Sequence, residues 1–91
     1  MTTIYKYTLD ITDKQTVTMS KDAEILTAQA QFEIPCIWAI IDTENDMEEV
    51  TIETFGTGHK IPVDMGVVRV YIGTYQIQGG AQIYHVFKRL N

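Results

Sequence analysis

The sequence predicts an all-β domain, an antiparallel curled sheet or small sandwich of about six strands that ends in a long hairpin. Apolar and polar residues alternate in several segments, and turn-forming residues separate these segments. Gly79-Gly80 divides the last long segment into two halves. With 91 residues, the chain is long enough for one core, so we expect a single small β domain over residues 1–91.

The first two strands are predicted from residue type and alternation. Thr3–Ile11 is rich in β-branched and aromatic residues, which favour strands. Thr12–Gln15 has the composition of a turn, and Thr16–Ser20 alternates again. We expect these two strands to form a hairpin.

Ala23–Phe32 fits two patterns. Several of its residues are good helix formers, and Ser20 would be a suitable helix cap. Against a helix, apolar residues alternate with polar ones, as in a strand with one buried face: Leu26, Ala28, Ala30 and Phe32. We favour the strand because the following segments continue an antiparallel sheet, and one short helix remains the alternative.

The middle of the chain holds the most apolar segment. Cys36–Ile41 is an unbroken apolar run after a proline, which predicts a central strand covered on both faces, with Trp38 as its largest buried side chain. Val50–Phe55 alternates as a further strand. Gly56–Gly66 contains three glycines and a proline and is predicted to be a loop.

The final hairpin runs from Val67 to Leu90. A two-residue turn at Gly79-Gly80 would place Tyr75 opposite Tyr84, and Thr74 opposite His85. Both faces of this hairpin carry apolar residues, so both need a cover. One cover is the domain's own core, and we assign the second to a partner chain, which predicts a homo-oligomer.

Tyrosines suit such a contact because an apolar ring carries a polar tip. We therefore predict that the interface includes three hairpin tyrosines: Tyr71, Tyr75 and Tyr84.

Charge and composition exclude several classes of protein. The net charge is −5 and the seven basic residues are scattered, which argues against direct nucleic-acid binding. No apolar run approaches the roughly 18 residues of a membrane span, and no secretory signal is visible. The single cysteine, Cys36, makes no internal disulfide, as expected in a reducing compartment.

The most site-like segment is the glycine-rich loop. Successive backbone N–H groups would bind an anion, and basic side chains would add donors. The predicted ligand-binding residues are Gly56, Thr57, Gly58, His59, Lys60 and Arg69. The alternative is a tight crossover between strands, in which the glycines only provide positive φ angles.

Other chemistry finds little support in the sequence. The spacing of His59, His85 and Cys36 matches no standard zinc site. The acidic segment from Asp42 to Glu53 lacks the glycine and flanking helices of a calcium loop. No nucleophile stands in a recognisable motif. We therefore predict no metal, no cofactor and no catalytic residue.

Blocks of sequence along nearly the whole chain resemble one family. They are Ile4-Tyr-Lys-Tyr, Gln15-Thr-Val-Thr-Met, Ala23-Glu-Ile-Leu, Pro35-Cys-Ile-Trp-Ala, Gly56-Thr-Gly-His-Lys-Ile-Pro, Tyr71-Ile-Gly-Thr-Tyr-Gln and Gly79-Gly with His85-Val-Phe. In order and spacing, these blocks are similar to short bacteriophage proteins of the DUF7352 type. The resemblance implies a viral origin and a location in the host cytoplasm, and it implies no mechanism.

Three functions are consistent with these observations. The first is a non-enzymatic phage protein that engages a host protein, as a counter to a defence system. The second is an oligomeric binder that sequesters a small anionic nucleotide. The third is an accessory of virion structure or assembly.

Overall fold

The computed structural model describes residues 1–63 and 65–91. It contains seven β-strands, one more than expected, and a single turn of 3-10 helix at Gln78–Gly80. The strands are β1 (Thr2–Thr8), β2 (Lys14–Ser20), β3 (Glu24–Gln31), β4 (Ile34–Asp42), β5 (Met47–Gly56), β6 (Arg69–Ile77) and β7 (Gln82–Arg89). The predicted all-β class is confirmed.

The strands form two antiparallel sheets. Sheet A has the order β1-β4-β3, and sheet B has the order β2-β5-β7-β6. The predicted hairpin of the first two strands is therefore wrong, because they lie in different sheets. The Leu9 N–H donates to the Pro35 carbonyl at 2.9 Å, so the chain stays on sheet A until Leu9 and then crosses over. The Gln15 side chain holds the crossover: its Oε1 accepts from the Asp10 N–H, and its Nε2 donates to the Asp10 carbonyl.

Ala23–Phe32 contains a strand, as favoured, but its buried face differs from the prediction. A bulge between Ile25 and Thr27 places Ile25 against the core and leaves Leu26 44% exposed. An extra residue in one strand shifts the alternation, which the sequence pattern does not reveal. Phe32, expected on the buried face, lies beyond the strand and is 91% exposed.

β4 is the central strand of sheet A, as predicted, but only one of its faces meets the core. Ile37, Ala39 and Ile41 point inwards and are buried. Trp38 lies on the outer face and is half-buried, so it is not the largest core side chain. Lys6 reaches Gln31 from the opposite edge strand at 2.8 Å, which provides partial cover on this outer face.

Near its turn the last hairpin has the predicted register, with Tyr75 opposite Tyr84 and Thr74 opposite His85. A bulge between Tyr71 and Gly73 shifts the pairing further from the turn. Gly79 and Gly80 both have positive φ, and the Ala81 N–H donates to the Gln78 carbonyl. This is the two-residue turn that the glycine pair predicts.

The two sheets pack face to face, with β3 against β6. At the closest point, a Cβ on Gly73 would lie 2.8 Å from the backbone oxygen of Ala28 and 2.9 Å from its nitrogen. Glycine at position 73 therefore lets two backbones approach each other directly. The core between the sheets comprises Leu9, Met19, Ala28, Ile37, Val50, Ile52, Tyr75, Ile77 and Val86.

Candidate functional site

The long loop after β5 folds back over the outer face of sheet B. We call its described residues, 57–63 and 65–68, the cover loop. Phe55 lies outside the core cluster yet is only 8% exposed: the ring of Phe87 and the guanidinium of Arg69 lie against it. His59, Lys60 and Pro62 of this loop line the cleft beside it. The second cover that the sequence analysis assigned to a partner chain is thus supplied in part by the protein's own loop. Position 64 of the predicted loop lies outside the described residues.

A buried ion pair fixes the cover loop. Glu53 is 6% exposed and accepts two hydrogen bonds from Arg69, at 3.1 and 3.4 Å. Arg89 lies 3.9 Å from the same carboxylate. Arg69 also donates to the Pro62 carbonyl at 3.1 Å and lies over the ring of Phe55. Arg69 therefore has a structural role that already uses its guanidinium.

The glycine-rich segment forms a tight turn instead of an open anion nest. The Thr57 N–H donates to the Ile83 carbonyl, and the His59 N–H donates to the Gly56 carbonyl. A nest needs successive free N–H groups, and these two are occupied. The cleft beside Lys60 is also lined by Asp13 and Lys14, so residues of both charges surround it. Gly56, Thr57 and His59 line one cleft, His59 and Lys60 line a second, and Arg69 is bonded to Glu53. The anion site stays a prediction.

The close approach of the His59 ring requires a glycine at position 56. A Cβ at this position would lie 2.6 Å from Cε1 of His59, so the imidazole ring packs directly on the backbone. His59 also forms a wall of a surface cleft of about 320 Å³, which includes Thr57, Gln82 and Tyr84. The lining has no carboxylate, lysine or arginine, so the cleft offers little to bind a phosphate.

A row of four hydrogen-bonded side chains crosses the outer face of sheet B. Tyr71 bonds Thr74 at 2.6 Å, Thr74 bonds Nδ1 of His85 at 3.0 Å, and Nε2 of His85 bonds Thr57 at 2.7 Å. A hydroxyl next to a histidine is the arrangement of an activated nucleophile. Here, however, a second hydroxyl occupies the place of the carboxylate that would stabilise a charged imidazole. The row ties the start of the cover loop to the sheet.

The three tyrosines of the predicted interface lie in different environments. Tyr75 is a core residue, 3% exposed, so its ring is not available to a partner. Burial raises the pKa of Tyr75 to about 12, and neighbouring Tyr84 adds to this effect. Tyr84 is half-buried and packs against the core. Tyr71 is 57% exposed, so among these three tyrosines it has the ring most accessible to a partner. Its place in an interface stays a prediction.

The turn between β3 and β4 has the most unusual backbone among the described residues. Phe32 has a φ of 51° and Glu33 a φ of 67°, so two non-glycine residues adopt the left-handed conformation in succession. This conformation costs an ordinary residue about 1–2 kcal/mol. The Glu33 carboxylate accepts a 2.6 Å hydrogen bond from the Gln78 N–H, which compensates at that position.

Phe32 has no such compensation. Its side chain is 91% exposed, so neither burial nor a side-chain hydrogen bond explains its presence. Phe32 does not stand out in the sequence, because it continues the apolar alternation of β3. The available signal was the absence of glycine, asparagine or proline between two strands that need a turn.

Comparison with known proteins gives a family but no function. The model of a domain family of unknown function, DUF7352, matches residues 1–91, and the chain belongs to this family. No curated protein and no solved structure matches the chain.

Two features are absent from the described residues. Residues 1–63 and 65–91 include no group of three or more metal-binding side chains. Nor does any helix within them have the length and apolar character that a membrane crossing requires.

Proposed function

We propose that this protein is a non-enzymatic binding module that attaches to another protein through Phe32. The observation that carries the proposal is an aromatic side chain that is 91% exposed on a strained turn. Strained backbone is retained where function needs it, and exposed aromatic side chains are frequent anchors of protein interfaces.

The surroundings of Phe32 suit a protein partner. Ile34, two residues further on, is 50% exposed and extends the apolar surface. The hydrogen bond from Gln78 to Glu33 places the tip of the last hairpin beside this turn. The two tips would therefore meet a partner together, with Phe32 entering an apolar pocket of that partner.

The resemblance to short bacteriophage proteins supports a more specific proposal. A phage protein of this size that binds tightly to a host protein would act by blocking it. We propose a host protein as the partner, and a component of a defence system as its class.

The test compares three versions of the protein as bait in host extracts: wild type, Phe32→Asn and Val63→Asn. Val63 is the matched control, because it is also 91% exposed but lies in the cover loop. We expect Phe32→Asn to lose a protein that the other two retain. With that protein purified, removal of a central aromatic anchor should weaken binding by about 30-fold or more.

Two results would overturn the proposal. If all three baits retain the same protein with equal affinity, Phe32 is not the anchor. If the wild-type protein instead carries a bound nucleotide that is released on denaturation, the sequestering function replaces the protein-binding one.

A further inference from the structure

We infer that two copies of this chain associate through the free edge of β1, in antiparallel pairing centred on Tyr5. The product is one continuous six-stranded sheet made from the two copies of sheet A. This contact is separate from the Phe32 turn.

β1 is an edge strand with backbone groups available for a further strand. The Leu9 N–H bonds the Pro35 carbonyl, and the Thr43 N–H bonds the Met1 carbonyl. Because hydrogen-bonding direction alternates along an antiparallel pair, the odd-numbered residues of β1 bond to β4. The N–H and C=O groups of its even-numbered residues, Thr2, Ile4, Lys6 and Thr8, therefore point to the free edge.

The other three edge strands are less suited to pairing. β3 and β6 each carry a bulge and pack against one another. Bulges disrupt the regular ladder that a new strand needs. β2 is regular, but none of its large apolar side chains is exposed. In β1, by contrast, Ile4 is 55% exposed and Tyr5 is 47% exposed, so pairing would bury apolar surface there.

We assign the free edge of β1 to a second copy of the chain, because the strand is complementary to itself. A two-fold axis through Tyr5 pairs all seven residues of β1 and places Lys6 opposite Ile4 of the other copy. The only charge of the strand thus avoids its own counterpart, which would be repulsive. The axis also brings the two Tyr5 rings together and places Thr3 opposite Tyr7, and both are favourable cross-strand combinations.

Lysine on an edge strand normally prevents association. Lys6 does not act in this way, because its ammonium group is turned across the outer face of sheet A to bond Gln31 at 2.8 Å. The edge is therefore left without a protective charge.

Sedimentation and cysteine cross-linking test the surface and its register. We expect a dimer of the 10.4 kDa chain, and we expect Ile4→Lys to raise the dimer dissociation constant at least tenfold. Ile11→Lys is the control, since Ile11 is 54% exposed and lies outside the strands. Under mild oxidation with oxidised glutathione, Tyr5→Cys should form a covalent dimer, because opposed Cα atoms in a pair without direct hydrogen bonds are about 4.5 Å apart.

Ile4→Cys should not cross-link to itself, because its counterpart is displaced along the strand beyond the roughly 7 Å limit for a disulfide. A wild-type monomer at all concentrations would refute the dimer. Equal cross-linking of the two cysteine variants would refute the register, and a dimer unaffected by Ile4→Lys would refute the surface. Each of these results leaves the role of Phe32 to be decided by its own experiment.

Discussion

Gly73→Ala should destabilise the fold although alanine is ordinarily better than glycine in a strand. The added methyl group would lie 2.8 and 2.9 Å from backbone atoms of Ala28, closer than real Cβ atoms come to such atoms. Backbone cannot swing aside as a side chain can, so the two sheets would have to separate at the seam between β3 and β6.

Two opposing terms set the magnitude. Overpacking costs about 1–3 kcal/mol, whereas replacing glycine within a strand gains about 0.5–1 kcal/mol. The net loss is about 1–2 kcal/mol, and for a chain of this length each kcal/mol shifts the melting temperature by about 4–8 °C. Urea and thermal unfolding, followed by circular dichroism, measure the change.

Gly66→Ala is a comparison without a clash: no atom lies within 4 Å of the new Cβ, but the φ of 82° alone costs about 1–2 kcal/mol, so its loss of stability reports backbone conformation and not packing. Ala28→Gly provides a second check, because it removes only a methyl group and leaves the clashing backbone atoms of residue 28 in place. It should therefore not rescue Gly73→Ala. If Gly73→Ala is as stable as the wild type, the close approach of β3 and β6 is incorrect.

Three further predictions follow from contacts on sheet B. Gly56→Ala should destabilise the wild type but be tolerated in a His59→Ala background. A double-mutant cycle should give a coupling energy of about 0.5–3 kcal/mol. Additive effects of the two substitutions would contradict the packing of the imidazole on Gly56. Because burial raises the pKa of Tyr75 from 10.0 to about 12, its contribution to stability is complete below pH 10 and is lost as the pH rises towards 12, by at most about 3 kcal/mol. The same alkaline loss of stability in Tyr75→Phe would exclude this tyrosine as the cause, and Tyr71→Phe is the control. Glu53→Ala should lower the unfolding free energy by about 3 kcal/mol, because it leaves two partly buried arginines without their carboxylate. An unchanged urea midpoint would show that the ion pair is dispensable.

Structural features that depend only on neighbouring residues in the chain were predicted correctly. The register of the last hairpin next to its turn follows from Gly79-Gly80, since both residues adopt positive φ and a two-residue turn allows only one pairing of the flanking residues. The strand at Glu24–Gln31 follows from period-two alternation. These rules depend on neighbours along the chain, so they need no knowledge of the other sheet.

Features that depend on distant contacts were not predictable in this way. The pairing of β1 with β4 depends on which sheet accepts each strand, and alternation is the same in either case. Phe55 is buried through its contacts with Phe87 and Arg69, which no local pattern in the sequence reveals. The anion-site prediction depends on free N–H groups, and the N–H groups of Thr57 and His59 are bonded to the carbonyls of Ile83 and Gly56, which the local pattern does not reveal. The anion site itself stays a prediction.

Phe32 lies between these two cases. Its exposure follows from the position of the turn, and the turn lacks the residues that usually form one. A local rule broken without a structural benefit is the sign of a functional position.

The unfolding free energy of Phe32→Asn tests the central claim most directly and needs no partner. Asparagine adopts the left-handed conformation more readily than phenylalanine, and it loses no contact with the core. We expect the variant to be about 1 kcal/mol more stable than the wild type in urea. A variant less stable than the wild type would show that Phe32 serves the fold, and the reason for assigning it to a partner would disappear.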